Sequence, residues 1–218
     1  HQLIGFYTVP DANDEVLKVL RSYQYYAANA ISGKVAKTDW KSKNILGGYI
    51  WHTTGSGKTM TSFKTAQLIA SSKDADKVVF LMDRIELGTQ SLKEYRGFAS
   101  DSVDVQATEN TGVLVTKLKS DDPANTLIVS SIQKMSNITE DGGMQTHDLK
   151  IMNNKRIVFI VDEAHRSTFG DMLMDIKNSF PSALFFGFTG TPIFEENQKK
   201  MNTTSTVFGG ELHRYTIA

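Results

Sequence analysis

A glycine-rich segment at residues 52–59 carries the clearest chemical signal in this sequence. It reads His-Thr-Thr-Gly-Ser-Gly-Lys-Thr and stands between an apolar run and a segment of helical periodicity. Gly55 and Gly57 would let the backbone turn tightly, so that successive N–H groups point at phosphate oxygens. The Lys58 ammonium would neutralise the β- and γ-phosphates of a nucleotide, and the Thr59 hydroxyl would bind Mg²⁺. The segment therefore predicts a phosphate-binding loop.

The loop departs from the usual pattern at its first position. The generic pattern begins with glycine, whereas this segment begins with His52. The Gly-Ser-Gly-Lys-Thr core is intact, and a helix that starts after it would add a favourable dipole for an anion. A turn that ends in Lys-Thr by chance is the alternative, and the flanking strand and helix disfavour it. The predicted nucleotide-binding residues of the loop are Thr54, Gly55, Ser56, Gly57, Lys58 and Thr59.

Two adjacent carboxylates, Asp162 and Glu163, follow a second apolar run in the sequence Val-Asp-Glu-Ala-His. An acidic residue at the carboxyl end of a strand lies in the crevice where open α/β sheets bind ligands. Asp162 is predicted to hold Mg²⁺ through a water molecule, and Glu163 to orient and deprotonate the attacking water. Such a pair alone is most often a surface feature. Downstream of a phosphate loop, it predicts hydrolysis of a nucleoside triphosphate.

Apolar runs rich in β-branched and aromatic residues alternate along the chain with segments of helical periodicity. Consecutive apolar positions are typical of strands buried on both faces of a parallel sheet, and strands that alternate with helices form βαβ units. The sequence thus predicts an α/β fold, with a doubly wound, mostly parallel sheet flanked by helices. The predicted strands are residues 48–51, 78–82, 103–108, 126–129, 157–161 and 184–188, and the clearest predicted helices are residues 59–71 and 169–180.

The composition excludes several classes of protein. The 218 residues are 40% hydrophobic and 22% charged, which is typical of a globular protein. The absence of cysteine excludes disulfides and thiolate zinc sites, and it fits a cytoplasmic protein. No apolar run approaches the roughly 20 residues that span a bilayer, so no membrane partner is expected. The net charge is 0, so the overall charge does not by itself indicate a nucleic-acid partner.

We expect one structural domain with two parts. Residues 1–44 are predicted to form an N-terminal helical segment that ends in a basic loop, and residues 45–218 to form the nucleotide-binding lobe. The sequence begins with histidine rather than methionine, which we interpret as the sign of a longer protein.

Three motifs in order resemble those of the superfamily 2 helicases and translocases. The phosphate loop is followed by the Asp-Glu-Ala-His box and then by Phe-Thr-Gly-Thr-Pro at residues 188–192. The resemblance implies a RecA-like first lobe, and it makes the last motif the one that couples ATP hydrolysis to nucleic-acid movement. Thr189 and Thr191 would carry this coupling, with His165 as their partner, since an imidazole can donate and accept hydrogen bonds. An isolated turn and a structural histidine are the alternative interpretations.

A narrower resemblance points to the motor subunits of type I restriction enzymes. Residues 47–59 are similar to their phosphate loop, including the unusual His52. Residues 21–24, Arg-Ser-Tyr-Gln, resemble their adenine-recognition motif, in which Gln24 would read the adenine edge. Packing of this aromatic-rich segment on a helix is the alternative for Gln24.

The same resemblance assigns residues that would face DNA. Residues 82–90 and 131–135 are similar to two DNA-facing motifs of these motors, in which Arg84 and Gln133 are the candidate contacts. A structural salt bridge is the alternative for Arg84. Residues 207–213 match the end of the first motor lobe, so the resemblance extends from the adenine motif almost to the last residue.

What the resemblance implies for the whole protein extends beyond this chain. A second motor lobe would supply an arginine finger, and a nuclease domain would precede the motor. ATP hydrolysis would translocate double-stranded DNA, which would be bound through its backbone phosphates. A methyltransferase subunit and a specificity subunit would be the partners. This chain alone would bind ATP and Mg²⁺ weakly and hydrolyse little.

Three other classes of protein compete with this interpretation. The nearest is another superfamily 2 DNA motor, such as a type III restriction subunit or a repair translocase. The second is a nucleotide-binding module that does not hydrolyse ATP, and the presence of Glu163 and of Thr-Gly-Thr at residues 189–191 disfavours it. The third is a small-molecule kinase, which the Asp-Glu-Ala-His box disfavours.

Overall fold

A computed structural model describes residues 7–11, 16–42, 45–82, 110–138, 146–162, 170–191 and 204–216 of the chain. Within these residues the backbone forms two sheets, one of two antiparallel strands and one of six parallel strands. The strands are β1 (Thr8–Asp11), β2 (Val16–Val19), β3 (Gly48–His52), β4 (Lys77–Met82), β5 (Leu127–Ser131), β6 (Ile157–Val161), β7 (Leu184–Thr189) and β8 (Glu211–Tyr215). The predicted strand at residues 103–108 lies outside the described residues.

The six-stranded sheet has the order β5-β4-β6-β7-β3-β8. Helices join the strands: α1 (Ser22–Ala36), α2 (Lys58–Ser72), α3 (Thr111–Lys119), α4 (Ile132–Ser136), α5 (Thr146–Asn153), α6 (Gly170–Ser179) and α7 (Thr204–Phe208), with a 3₁₀ turn at Pro123–Asn125. Parallel strands need such crossovers, because a tight turn can join only antiparallel neighbours. The predicted α/β fold with a mostly parallel sheet and flanking helices is confirmed.

Helices cover both faces of the sheet and divide the core in two. The first core joins α1 and α2 to one face, and the second joins α3 to α7 to the other. Strand β6 shows the alternation: Val158 and Ile160 face the first core, whereas Ile157, Phe159 and Val161 face the second. Every residue of β4, β5, β6 and β7 is buried. A strand buried on both faces gains from apolar residues at successive positions, which is why these runs were visible in the sequence.

The described residues before α1 include a hairpin that the sequence analysis did not predict. Strands β1 and β2 pair antiparallel before α1 starts. Val9 and Leu20 enter the same core as α1 and the sheet, and the Lys64 ammonium on α2 donates to the Thr8 carbonyl at 3.1 Å. Outward-facing Leu17 is 73% exposed. The N-terminal segment is therefore a hairpin followed by a helix, and it packs directly on the helix that follows the phosphate loop.

Strand β8 is an edge strand that the sequence analysis also missed. It pairs in parallel with β3, with Ile50 opposite His213 and His52 opposite Tyr215. Its residues are exposed or only half buried. An edge strand of this kind lacks a continuous apolar run, so its sequence gave no strong strand signal.

The close approach of β3 to β7 yields a prediction about stability. A methyl group on Gly47 would lie 2.1 Å from the Phe185 carbonyl oxygen, whereas among the described residues nothing lies within 4 Å of one on Gly33 in α1. We expect Gly47→Ala to lower the free energy of unfolding by about 1–3 kcal/mol, because backbone must move. Gly33→Ala should raise it by up to about 1 kcal/mol, because alanine favours helix. Thermal unfolding of both variants tests this, and shifts of the same sign would contradict it.

Candidate functional site

The glycine-rich loop connects β3 to α2 by a tight turn. Gly55 has a φ of 82° and Gly57 a φ of 75°, in the left-handed region that favours glycine. Gly57 caps α2, and its carbonyl accepts the first helical hydrogen bond, from the Thr61 backbone N–H at 3.1 Å. The loop thus delivers the chain to the N-terminus of a 15-residue helix, where free N–H groups and the helix dipole favour an anion.

Asp162 follows β6 and contacts the residue that comes directly after Lys58. Its backbone N–H donates to the Leu81 carbonyl at 3.0 Å, which fixes it just beyond the end of β6. The Thr59 hydroxyl donates to Asp162 Oδ2 at 3.3 Å. Mg²⁺ prefers oxygen ligands, so this pair of oxygens fits a site for such an ion. Lys58 and Asp162 are both buried, at 6% and 1% exposure.

The Thr-Gly-Thr segment after β7 packs directly against the loop. A methyl group on Gly190 would lie 3.3 Å from Thr54 Oγ1 and 3.4 Å from the Lys58 ammonium. The Trp51 indole N–H donates to the Gly190 carbonyl at 3.1 Å, and the Thr191 backbone N–H donates to Thr189 Oγ1 at 3.2 Å. The segment predicted to couple hydrolysis to movement therefore lies beside the predicted phosphate-binding lysine.

Gln24 is buried against the backbone of the loop. Its amide nitrogen donates to the carbonyls of Ser56 at 3.2 Å and Gly57 at 3.4 Å, and its amide oxygen accepts from the Arg21 backbone N–H at 2.8 Å. The side chain is 2% exposed. In this conformation both ends of the amide bind the chain itself. To read an adenine edge, the amide would have to exchange these partners.

An aromatic cluster behind the loop escaped the sequence analysis as a unit. The Tyr23 hydroxyl donates to the Ser56 carbonyl at 2.8 Å, and the Tyr23 ring stacks on Tyr215 with centroids 3.7 Å apart and planes at 5°. His52 Nε2 and His213 Nδ1 are 3.0 Å apart and share a hydrogen bond. The available signal was the i, i+2 spacing of His213 and Tyr215, which puts both on one face of a strand.

Of the four remaining predicted site residues, the structure describes only Gln133. Gln133 lies half-buried on α4, which begins directly after β5 and is capped by the Ser131 hydroxyl, which accepts from the Lys134 backbone N–H at 3.2 Å. This places Gln133 at the same edge of the sheet as the loop, since parallel strands all end at that edge. Arg84, Glu163 and His165 lie outside the described residues.

Burial keeps the histidine pair neutral. The pKa of His52 falls from 6.5 to about 4, first because burial disfavours the charged ring, and then because His213 and Lys58 repel a positive charge. Burial also lowers the pKa of His213, and Glu211 partly opposes this effect. A positive charge on His52 would sit in the interior close to the lysine of the loop. The pair therefore serves as a neutral hydrogen-bonded link near pH 7.

This shift predicts a pH dependence of stability. The folded state binds a proton at His52 less readily than the unfolded chain, so the stability from neutral His52 is complete above pH 6.5 and is lost as the pH falls toward 4. The full effect is on the order of 3 kcal/mol. We expect His52→Gln, which keeps a hydrogen-bonding side chain that does not titrate, to lose less stability in this window. Thermal unfolding at pH 7 and pH 5 tests this, and equal losses in variant and wild type would refute it.

Within the described ranges, no helix is both long enough and apolar enough to traverse a bilayer.

Comparison with known proteins places the chain in a family. The family model for the SWI2/SNF2 ATPase matches residues 23–218. A type I restriction enzyme endonuclease subunit of Staphylococcus saprophyticus is 43% identical over 99% of this chain and 22% of its own length. The C-terminal part of a putative type I restriction enzyme endonuclease subunit of Mycoplasma pneumoniae is 41% identical over 75% of this chain and 80% of that protein. The chain thus spans about a fifth of the longer relatives.

Solved structures share the fold at low sequence identity. The type ISP restriction-modification enzyme LlaGI, solved as a nuclease-deletion mutant with a DNA substrate mimic, matches with a TM-score of 0.60 and 21% identity over 91% of this chain and 20% of that one. The UvsW helicase of bacteriophage T4 matches with a TM-score of 0.60 and 13% identity over 98% of this chain and 66% of that one. The chain belongs to the SWI2/SNF2 ATPase family, among the endonuclease subunits of type I restriction enzymes.

Proposed function

We propose that this chain is the ATP-binding lobe of a motor that hydrolyses ATP to translocate double-stranded DNA, within the endonuclease subunit of a type I restriction-modification enzyme. One observation carries the proposal: the phosphate loop, Asp162 and Gly190 meet at one edge of the sheet. A nucleotide-driven motor needs an anion cradle, a metal ligand and a contact that senses the phosphate. These three segments provide one each.

The loop is proposed to bind ATP with Mg²⁺. Backbone N–H groups of residues 54–57 would surround the phosphates, and the Lys58 ammonium would neutralise their charge. Mg²⁺ prefers oxygen ligands and would be held by Thr59 and Asp162, whose oxygens are already 3.3 Å apart. The ion would offset negative charge on the transferring phosphoryl group. Gln24 would act from below the loop, and adenine recognition by its amide stays part of the proposal.

The residues proposed to carry out hydrolysis are inferred from the sequence motif. Glu163 would orient and deprotonate the attacking water, and His165 would link the Asp-Glu-Ala-His box to Thr189 and Thr191. Both assignments follow from the position of this box directly after β6. Burial of Asp162 supports them, because it brings the start of the box against the loop.

The partners are proposed from the family. Double-stranded DNA would be contacted by Arg84 and Gln133, and a second motor lobe with an arginine finger would close over the ATP. The complete protein would add a nuclease domain in the same chain and would join a methyltransferase and a specificity subunit in the cytoplasm. The relatives at 41–43% identity favour this assignment over a type III subunit or a repair translocase.

Removal of the phosphate-binding lysine tests nucleotide chemistry. We expect Lys58→Ala in the complete protein to reduce ATP hydrolysis by at least about 100-fold, because an uncompensated phosphate charge is costly in the transition state. The matched control is Lys150→Ala. Lys150 is exposed on α5, which leads into the start of β6, at the edge of the sheet opposite the phosphate loop. Steady-state ATPase rates with duplex DNA decide the matter. Equal rates for Lys58→Ala and the control would rule out the assignment of the loop.

A second experiment separates a motor from a nucleotide switch. Replacement of Thr189 and Thr191 by alanine should leave the KM for ATP nearly unchanged, because neither hydroxyl is proposed to bind phosphate. It should reduce the stimulation of ATPase by long duplex DNA about tenfold and abolish translocation, because the link between the box and the coupling segment is lost.

The matched control for the coupling test is the double serine variant, which keeps both hydroxyl groups and loses only the two methyl groups. Its DNA stimulation should stay close to that of the wild type. If the alanine and serine variants are stimulated equally, the segment is only a turn that ends β7.

A further inference from the structure

The last residues of β8 contact the start of the phosphate loop twice and Tyr23 of α1 once. The Tyr215 carbonyl accepts from the Thr53 backbone N–H at 3.1 Å, where the loop leaves β3. The His213 ring shares a hydrogen bond of 3.0 Å with His52. The Tyr215 ring lies flat on Tyr23, with centroids 3.7 Å apart and planes at 5°. None of the ATP-binding residues assigned above lies in β8.

The Tyr23 hydroxyl controls one peptide group of the loop. It donates to the Ser56 carbonyl at 2.8 Å, and the Gln24 amide donates to the same oxygen at 3.2 Å. A trans peptide is planar, with its C=O and N–H pointing in opposite directions. When the Ser56 carbonyl is held toward Tyr23, the Gly57 N–H must point away from Tyr23. That N–H is one of the groups assigned above to the phosphates.

The position of the Tyr23 hydroxyl depends in turn on Tyr215. A tyrosine hydroxyl is carried by a rigid ring, so the orientation of the ring fixes where the oxygen lies. Tyr23 stands in the first turn of α1 and is only half buried. The Tyr215 ring covers one face of the Tyr23 ring. The His52 ring approaches the Tyr23 ring edge-on, with the two centroids 5.4 Å apart. Stacking of two aromatic rings restricts rotation and adds attraction beyond burial alone.

We propose that Tyr215 is a positioning residue for nucleotide binding. Its ring holds Tyr23 in the orientation that lets the Tyr23 hydroxyl fix the Ser56–Gly57 peptide, and the loop is thereby arranged for phosphate before ATP arrives. Tyr215 acts through Tyr23 and does not touch the nucleotide. The inference rests on the proposed function, because it assigns a role in ATP binding at the same site.

Three substitutions in the complete protein separate the stack from the hydroxyl. Tyr23→Phe keeps the stack and removes the hydroxyl, Tyr215→Leu removes the stack, and Tyr215→Phe preserves it. We expect the first two to raise the KM for ATP about fivefold, as expected for loss of one hydrogen bond, with kcat changed less than twofold. The KM of Tyr215→Phe should stay within twofold of the wild-type value.

A double-mutant cycle distinguishes positioning from general destabilisation. If Tyr215 acts through the Tyr23 hydroxyl, Tyr23→Phe combined with Tyr215→Leu should raise the KM no more than Tyr23→Phe alone. Independent, multiplying effects on the KM would overturn the inference, as would an unchanged KM in Tyr215→Leu. If Tyr215→Leu does not fold, Tyr215→Met takes its place in the cycle with the same expectations.

The lysine variant keeps the two proposals apart. If ATPase activity is lost in Lys58→Ala while Tyr215→Leu has the wild-type KM, ATP binding stands and the positioning role fails. If the activity does not depend on Lys58, the proposed function itself fails.

Discussion

Parallel pairing of the six strands is the constraint on which the site depends. In a parallel sheet every strand ends at the same edge, and the segments that follow the strands converge there. The phosphate loop follows β3, Asp162 follows β6 and Gly190 follows β7, with β6, β7 and β3 adjacent in the sheet. Segments far apart in the sequence are thereby brought within hydrogen-bonding distance, and a site of this kind needs no long structured loops to assemble it.

The polar groups at this edge of the sheet are buried, so each of them needs a polar partner. Lys58 and Asp162 are almost inaccessible, and the interior is expensive for charges that lack partners. Polar groups around them are fixed by bonds within the chain, as the Thr59–Asp162 and Trp51–Gly190 hydrogen bonds show. A polar environment that is already oriented needs little rearrangement when a charged ligand binds. The same burial explains why His52 stays neutral: a second positive charge beside Lys58 would be unfavourable.

Two elements outside the central strands hold the loop from behind. Helix α1 supplies Tyr23 and Gln24, which both bind the Ser56 carbonyl, and β8 supports Tyr23 through Tyr215. Arg214 of β8 also lies over the Trp51 ring at 4.2 Å, and Trp51 in turn binds Gly190. The edge strand therefore contacts the loop directly and is linked to the coupling segment through Trp51. In the longer relatives the matching segment is about a fifth of the chain.

The sequence by itself determined the central strands and the shape of the loop. Strands β4 to β7 are buried on both faces and so appear as continuous apolar runs, and only glycine readily adopts the backbone angles of Gly55 and Gly57. The hairpin and β8 gave no such signal, because each is partly exposed. Tertiary structure alone decided the partners of Gln24 and the pairing of His52 with His213, which are 161 residues apart. Such contacts depend on the order of strands in the sheet, and local sequence does not encode that order.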